Sequence, residues 1–542
     1  MINSPQKIFS EYTAARRYKE SLGKKGLYEQ NRINERFFIG DQWRGAACGN
    51  ERPLVRHNVI KRIGDYKISQ LSSGETAVSY TAEGISQSLG AKKEIEAERR
   101  ALSRADNAVF APYTGKNEIG LMVSALNSYR TVTAERVGLS EIVDQALRDA
   151  YIRGTGAVYT YFDPDIKTGL FADRVGGTPI LGDIACECIK IEDIYFGDPA
   201  VGDLQKQPYI ILTQEKAAAD IAAEAKRYGA PRAIVSRLAE KGDKKLTLFT
   251  KLYKARTDNG ERKVFAVKTT EEAIVRGDFC LNIPLYPLSV FSWERRDGSI
   301  YGDSEVTYLI PNQIAINRLI TAGVWSAMTG GMPLMVVNGD LVTGDITNEP
   351  GQRIRAYCSA EELETAVRYV APPDSAAAYR DTVNDLIYNT LTQSGANEAA
   401  LGDMKANNTS AIIELREASA RHLLPLKNRY FRFIEDISLI WAEFFFACYG
   451  KRSLRINDKN GIWYFPFDAS KYRSLVLSVK VTASEAVTRG EKERVATLGS
   501  LLEQGAITPL QYLKRLPAGL IPDVGGLIAE LEGEKEEEDE RI

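Results

Sequence analysis

The 542-residue chain has little of what most enzymes work with. It holds two histidines, His57 and His422, and six cysteines. Four of those cysteines are scattered, so no disulfide framework is legible, and the composition fits a reducing compartment. The one close pair, Cys186 and Cys188 in "CEC", lacks the second Cys or His cluster that a zinc site needs. Alternate positions on one face of a strand explain the pair better. No uninterrupted run of 18 apolar residues exists. The most apolar helical stretch, "FIEDISLIWAEFFFACYG", carries Glu435, Asp436 and Glu443, which argues against a membrane span. The first residues lack the apolar core of a signal peptide.

Phosphate-binding loops are missing too. In "YTGKNEIG", Gly115 and Lys116 are followed by Asn117 rather than Ser or Thr, and the upstream glycine is absent. "RGTGAVY" places its Gly-x-Gly after a helix and before a strand, the reverse of a dinucleotide fingerprint. It reads as a tight helix-to-strand turn. Neither histidine neighbours a nucleophile elbow. Asp163, Asp165, Asp198 and Asp303 sit in "FDPD", "FGDP" and "YGDS", where turn chemistry accounts for aspartate. No cofactor or metal is expected, and the residues do not suggest an enzyme. The rival reading is a nucleic-acid-processing enzyme with a carboxylate metal site, which needs clustered acids.

Charge is nearly balanced, with 70 Lys and Arg against 72 Asp and Glu. A protein that grips nucleic acid through phosphates carries a clear basic excess. Contact with DNA is therefore expected to be local, weak or transient.

The pattern along the chain predicts an α+β protein. Helical spacing dominates to about residue 40, with Gly40 as a stop, and returns at "RHNVIKRIGDYKISQLSSG", "AKKEIEAERRALSRA" and "LSEIVDQALRDAYIRG", the last with Ser140 as N-cap. Between Gly156 and Tyr301 alternation takes over, with turns expected at "DPD", "TDNG" and "RDG". Helices over Pro311–Met328, with Pro311 in the first turn, and Ser375–Ser394 flank a Gly- and Pro-broken insert. This predicts an αα-hairpin with a small domain at its tip. A loose small-residue stretch, Gly395–Asn408, precedes a long helical pattern from Ser410 to Tyr449, in which Pro425 predicts a kink. Strands follow at "IWYFPF" and "SLVLSVKVT", then two helices joined at Gly505 and an acidic tail.

Several segments, in this order, resemble the portal proteins of tailed bacteriophages. They are "RFFIGDQW" (Arg36–Trp43), "RPLVRHNVIKRIGDY", "ALRDAYIRGTGAVYTYFDPD", "IKIEDIYFGDPA", "YPLSVFSWERRDGSIYGDSEVTYLIPNQIAINRL", "LGDMKANNTSAIIELREASARHLLPL" and "LLEQGAITPLQYLKRLP". The resemblance covers residues 30 to 520. It implies the portal fold: a wing (1–302), stem helices (303–329 and 375–394) around a clip (330–374), a tunnel loop (395–408), a long wing helix with strands (409–479), crown helices (480–531) and a disordered acidic tail (532–542). It implies a ring of about twelve subunits at one capsid vertex. Genome DNA would be packaged and ejected through that ring, in the virion and, during assembly, in the host cytoplasm. The implied partners are double-stranded DNA in the channel, the terminase large subunit, head-completion adaptor proteins, and the major capsid protein and scaffold, with no membrane. The candidate channel residues are Lys405, Asn407 and Asn408 in the loop, Arg318 and Arg380 in the stem, and Arg353 and Arg355 in the clip.

Overall fold

A computed structural model describes residues 3–44, 54–72, 76–82, 118–171, 179–330, 334–343, 355–357, 359–362, 367–370, 376–396, 401, 421–458, 461–472, 477–483, 498–513 and 515. The expected helix at "AKKEIEAERRALSRA" and the acidic tail lie outside them. The chain is mixed helix and sheet. In order it forms α1 (Pro5–Ser21), α2 (Leu27–Ile39), α3 (Val59–Ser72), β1 (Thr76–Ala82), α4 (Glu118–Val137) and α5 (Leu139–Arg153). Then come β2 (Thr155–Phe171), β3 (Pro179–Lys190), β4 (Ile194–Phe196), β5 (Tyr209–Ala217), α6 (Ala218–Arg227), α7 (Arg232–Ala239), β6 (Lys245–Arg256), β7 (Arg262–Thr269), β8 (Ile274–Cys280) and β9 (Leu288–Ser292). The rest comprises α8 (Glu305–Gly330), β10 (Leu334–Val337), β11 (Val342–Thr343), β12 (Arg355–Ala356), β13 (Val367–Val370), α9 (Ala376–Gln393), α10 (Leu424–Cys448), β14 (Lys451–Asp458), β15 (Gly461–Asp468), β16 (Leu477–Ala483) and α11 (Pro509–Leu513).

Two compact units emerge. The first holds Met1–Ile68, Glu141–Thr160 and Cys186–Arg429. At its centre an antiparallel sheet runs β4-β5-β6-β7-β8. Side-chain alternation puts Ile210, Leu252 and Ala266, aligned across three strands, on one face. The neighbouring positions Ile211, Phe249 and Val267 point to the other face, where Ile8 and Ala15 of α1 cover them. Burial on both faces explains why "YIIL" is apolar at consecutive positions. α1 starts where Ser4 accepts a hydrogen bond from Lys7 N–H, with Pro5 in the first turn.

The same helix carries Lys19 to a fully buried position. Its ammonium donates to the carbonyls of Ile191 (2.7 Å) and Glu192 (2.9 Å) and lies 3.8 Å above the Tyr195 ring. Burial pulls its pKa from 10.5 down to about 7, with Glu192 and Asp193 opposing. Between these values the unfolded chain binds a proton that the folded chain releases. Lys19 therefore makes stability rise with pH from about 7 to 10.5. Unfolding in denaturant at about pH 7 and about pH 9.5 should show wild type gaining on Lys19→Met at the higher pH. A pH-independent difference would place the titration elsewhere.

Turn expectations divide. "TDNG" closes the β6–β7 hairpin, with Thr257 N–H to Glu261 O at 2.8 Å and Gly260 at φ +80°. "RDG" turns with Gly298 at φ +63°. "DPD" does not turn. β2 runs straight through it, and the Asp163 carboxylate accepts the Asp165 N–H (2.9 Å) inside the strand. "RGTG" is the tight turn expected, with Gly154 at φ +83°. A Cβ there would stand 2.2 Å from the Gly302 carbonyl oxygen, so only glycine fits. Ser140 is no N-cap. α5 begins one residue earlier, after Gly138 separates it from α4.

The second unit holds Ser69–Ser140, Tyr161–Ala185 and Tyr430–Ile542. β1 pairs with β16 and β14 with β15. Within α10, Phe433, Ile437, Ile440, Trp441, Phe444 and Phe445 are buried at helical spacing. Pro425 does not kink this helix from within. The helix starts at Leu424 after a break at Leu423, so Pro425 falls in the first turn, where its missing N–H costs nothing. The preceding part of the expected long helix, residues 410–420, lies outside the described residues. Asn127 of α4 brackets Tyr80 of β1, accepting from its N–H (2.7 Å) and donating to its carbonyl (3.3 Å). The Tyr80 hydroxyl donates to Ser438 O at 2.9 Å.

Candidate functional site

The expected helical hairpin is present in the first unit, and its helices are antiparallel. Asn312 of α8 donates to Thr390 of α9 (3.2 Å), while further along Gly323 faces Tyr379 so closely that an added Cβ would lie 3.2 Å from the tyrosine's. α8 starts six residues before Pro311, because Ser304 receives the Val306 N–H (3.2 Å) and opens the first turn there. Pro311 is thus interior to the helix rather than in its first turn.

A second face of α8 carries a polar ladder at i, i+4 and i+8. Gln313 accepts from Val59 N–H (2.9 Å) and donates to His57 O (2.7 Å). Asn317 accepts from His57 N–H (3.1 Å) and donates to Gln42 (2.6 Å). Thr321 accepts from Val55 N–H (3.2 Å). These two amides and one hydroxyl satisfy an extended stretch of backbone that no strand pairs with among the described residues. Along a third face Tyr308 is exposed (59%), and Ala315, Leu319, Ala322 and Ser326, following at helical spacing, are half-buried. From Leu319 to Met328 no residue is fully buried, although "LITAGVWSAM" is largely apolar.

Between the two helices the insert is a nested antiparallel ribbon: β10 pairs with β13, and β11 with β12 inside them. Among the described residues both edges of each pair are open. At the other end of α9, Gly395 (φ +74°) caps the helix, and a Cβ there would lie 3.1 Å from that of His422. The start of the loose segment thus lies beside His422, which follows it in the chain; residues 397–400 and 402–420 lie outside the described residues.

Of the sequence-derived site residues, Arg318, Arg355 and Arg380 are among the described residues. Arg380 is exposed on α9 beside Asp381 (3.6 Å). Arg355 is exposed on β12, opposite Thr343. Lys405, Asn407, Asn408 and Arg353 lie outside the described residues. Arg318 points away from α9 into a groove of about 300 Å³ with Lys25, Arg36 and Arg44. Sequence reasoning missed the last three, which come from around α2, far away in the chain. The available signal was charge. Met1–Ser72 holds fourteen Lys and Arg against seven Asp and Glu, whereas Glu305–Ala396 holds five arginines, no lysine and ten carboxylates.

The carboxylates singled out earlier have structural partners. Asp198 accepts from Ala200 N–H (3.1 Å), as turn chemistry requires. Asp303 is engaged by the Arg296 guanidinium instead of its own backbone. Cys188 donates to Asp149 (3.5 Å), and burial pushes its thiol up to about 12. Among the described residues no group of three or more His, Cys, Asp or Glu side chains could hold a metal ion, and no helix is long and apolar enough to cross a membrane. No protein-family model matches the chain, and no curated protein matches its sequence.

Proposed function

We propose that the chain is a tailed-phage portal subunit. About twelve copies would close into a ring through which double-stranded genome DNA is packaged and later ejected. The observation that carries this reading is the antiparallel α8–α9 hairpin with its β ribbon inserted between the two helices. In a portal these are stem and clip, and the loose Gly395–Asn408 that follows would be the tunnel loop. The half-buried apolar residues of α8, and the ribbon edges that stay open among the described residues, are what a head-to-tail neighbour would cover. The carboxylate excess of Glu305–Ala396 suits a hole that lets DNA slide, since every neutralised phosphate adds affinity and drag. In this reading the ribbon docks the terminase large subunit and later the adaptor proteins, while the first unit's sheets meet capsid protein or scaffold.

The enzyme reading draws no support from a specific arrangement among the described residues, where Asp163, Asp198 and Asp303 each hold a structural partner. The mass and shape of the purified assembly test the proposal: an open ring with a duplex-wide hole supports it, and a small closed oligomer without a channel removes it.

A further inference from the structure

The motif "RFFIGDQW" builds one wall of the groove that receives Arg318. α2 supplies Ile33, Arg36 and Phe37, and Gly40 (φ +93°) then ends the helix and swings Gln42, Trp43 and Arg44 across its end. Ile314, Asn317 and Arg318 of α8 form the opposite wall, with Lys25 at the rim. Four cations line the groove and no carboxylate does. Asp41 is the one acid nearby, 3.2 Å from Arg36 Nε and 3.9 Å from Arg44. Among the described residues Lys25 and Arg318 have no ion-pair partner. Arg56 stands next to the groove, donating to Gly40 O at 3.0 Å. Like charges brought together at this density repel unless an anion sits among them.

We propose that this groove binds the phosphate backbone of double-stranded DNA. Three of its four cations are arginines, whose forked guanidiniums match phosphate oxygens. Exposed Arg32, one helical turn before Arg36 on α2 and paired with Glu29 (2.9 Å), extends the basic row, so the fitting ligand is extended and anionic. The apolar walls of Trp43 and Ile314 lower the local dielectric and strengthen each contact. Such a site gives a nearly neutral protein one local grip on DNA, where the basic N-terminal segment packs against α8. The choice of DNA among polyanions rests on the portal reading; the anion site itself rests on the groove alone.

The test is anisotropy of a fluorescent duplex of about 20 base pairs, titrated with full-length protein over a range of salt. The variants are Lys25→Gln, Arg36→Gln, Arg44→Gln and Arg318→Gln together, with exposed Lys226→Gln and Arg232→Gln as the comparison pair. The quadruple variant should bind at least about tenfold more weakly, and its log K against log salt slope should fall by roughly 3. The comparison pair should change both much less. Unchanged affinity and slope in a quadruple variant that melts like wild type would overturn the proposal. So would a synthetic Glu532–Ile542 peptide that binds wild type more tightly than the duplex and loses its affinity in the same variant, since the groove would then be a dock for acidic peptide. Assembly mass on the same samples separates the two readings. A ring indifferent to these changes overturns only the DNA site; groove-dependent binding by a protein that forms no ring overturns only the portal reading.

Discussion

Glutamates in place of Leu319 and Ala322 are expected to leave the protein unable to form rings while its melting temperature stays within a few degrees of wild type. Both side chains lie on one face of α8 and are only half-buried in the chain, so the subunit itself tolerates the charges. If that face meets a neighbouring copy, every interface in the ring takes two carboxylates out of water without partners. The effective penalty is several kcal/mol per ion. At about 1.4 kcal/mol per tenfold, a loss of ~4 kcal/mol weakens each contact roughly a thousandfold. Native mass spectrometry of the double variant reads the result directly. Rings as abundant as in wild type would remove this face from the interface.

Asp183→Ala should be the most destabilising single change in the second unit. Its carboxylate is 1% exposed. It takes hydrogen bonds from the hydroxyls of Tyr129 (3.0 Å) and Tyr449, and an ion pair from Arg136 (2.9 Å). Arg452 stacks 3.8 Å over the Tyr449 ring and donates to the carbonyls of Tyr449 (2.9 Å) and Gly182 (3.3 Å), tying α10 and β14 to the same point. Removing the acid leaves a partly buried guanidinium and two hydroxyls without their acceptor. Breaking such a pair costs about 3–5 kcal/mol. Urea unfolding should show the midpoint falling with little change in slope. A loss under about 1 kcal/mol would mean that water replaces the carboxylate.

The parts legible in the sequence were those governed by local pattern. The antiparallel hairpin followed from two helical runs around a Gly- and Pro-rich insert, and Gly40, Gly154 and Gly505 mark ends because only glycine takes positive φ there at little cost. α4 went unrecognised because its apolar and polar residues do not separate onto two faces. Pro311 misled because a cap at Ser304 outweighs the one backbone bond that an interior proline deletes. The roles of Gln313, Asn317 and Thr321 were invisible. Their partners are backbone groups more than 250 residues away, and nothing in a helix pattern names what its polar face will meet. The cationic groove escaped for the same reason: Arg318 could be chosen for its charge, but Lys25, Arg36 and Arg44 join it only through the packing of α2 against α8.

The most direct test of the central claim is the native mass of the full-length protein, paired with negative-stain images. The portal account predicts a particle of about 720 kDa, roughly twelve times the 60.1 kDa chain, with a central hole wide enough for a duplex. A compact dimer or tetramer with no channel would contradict it.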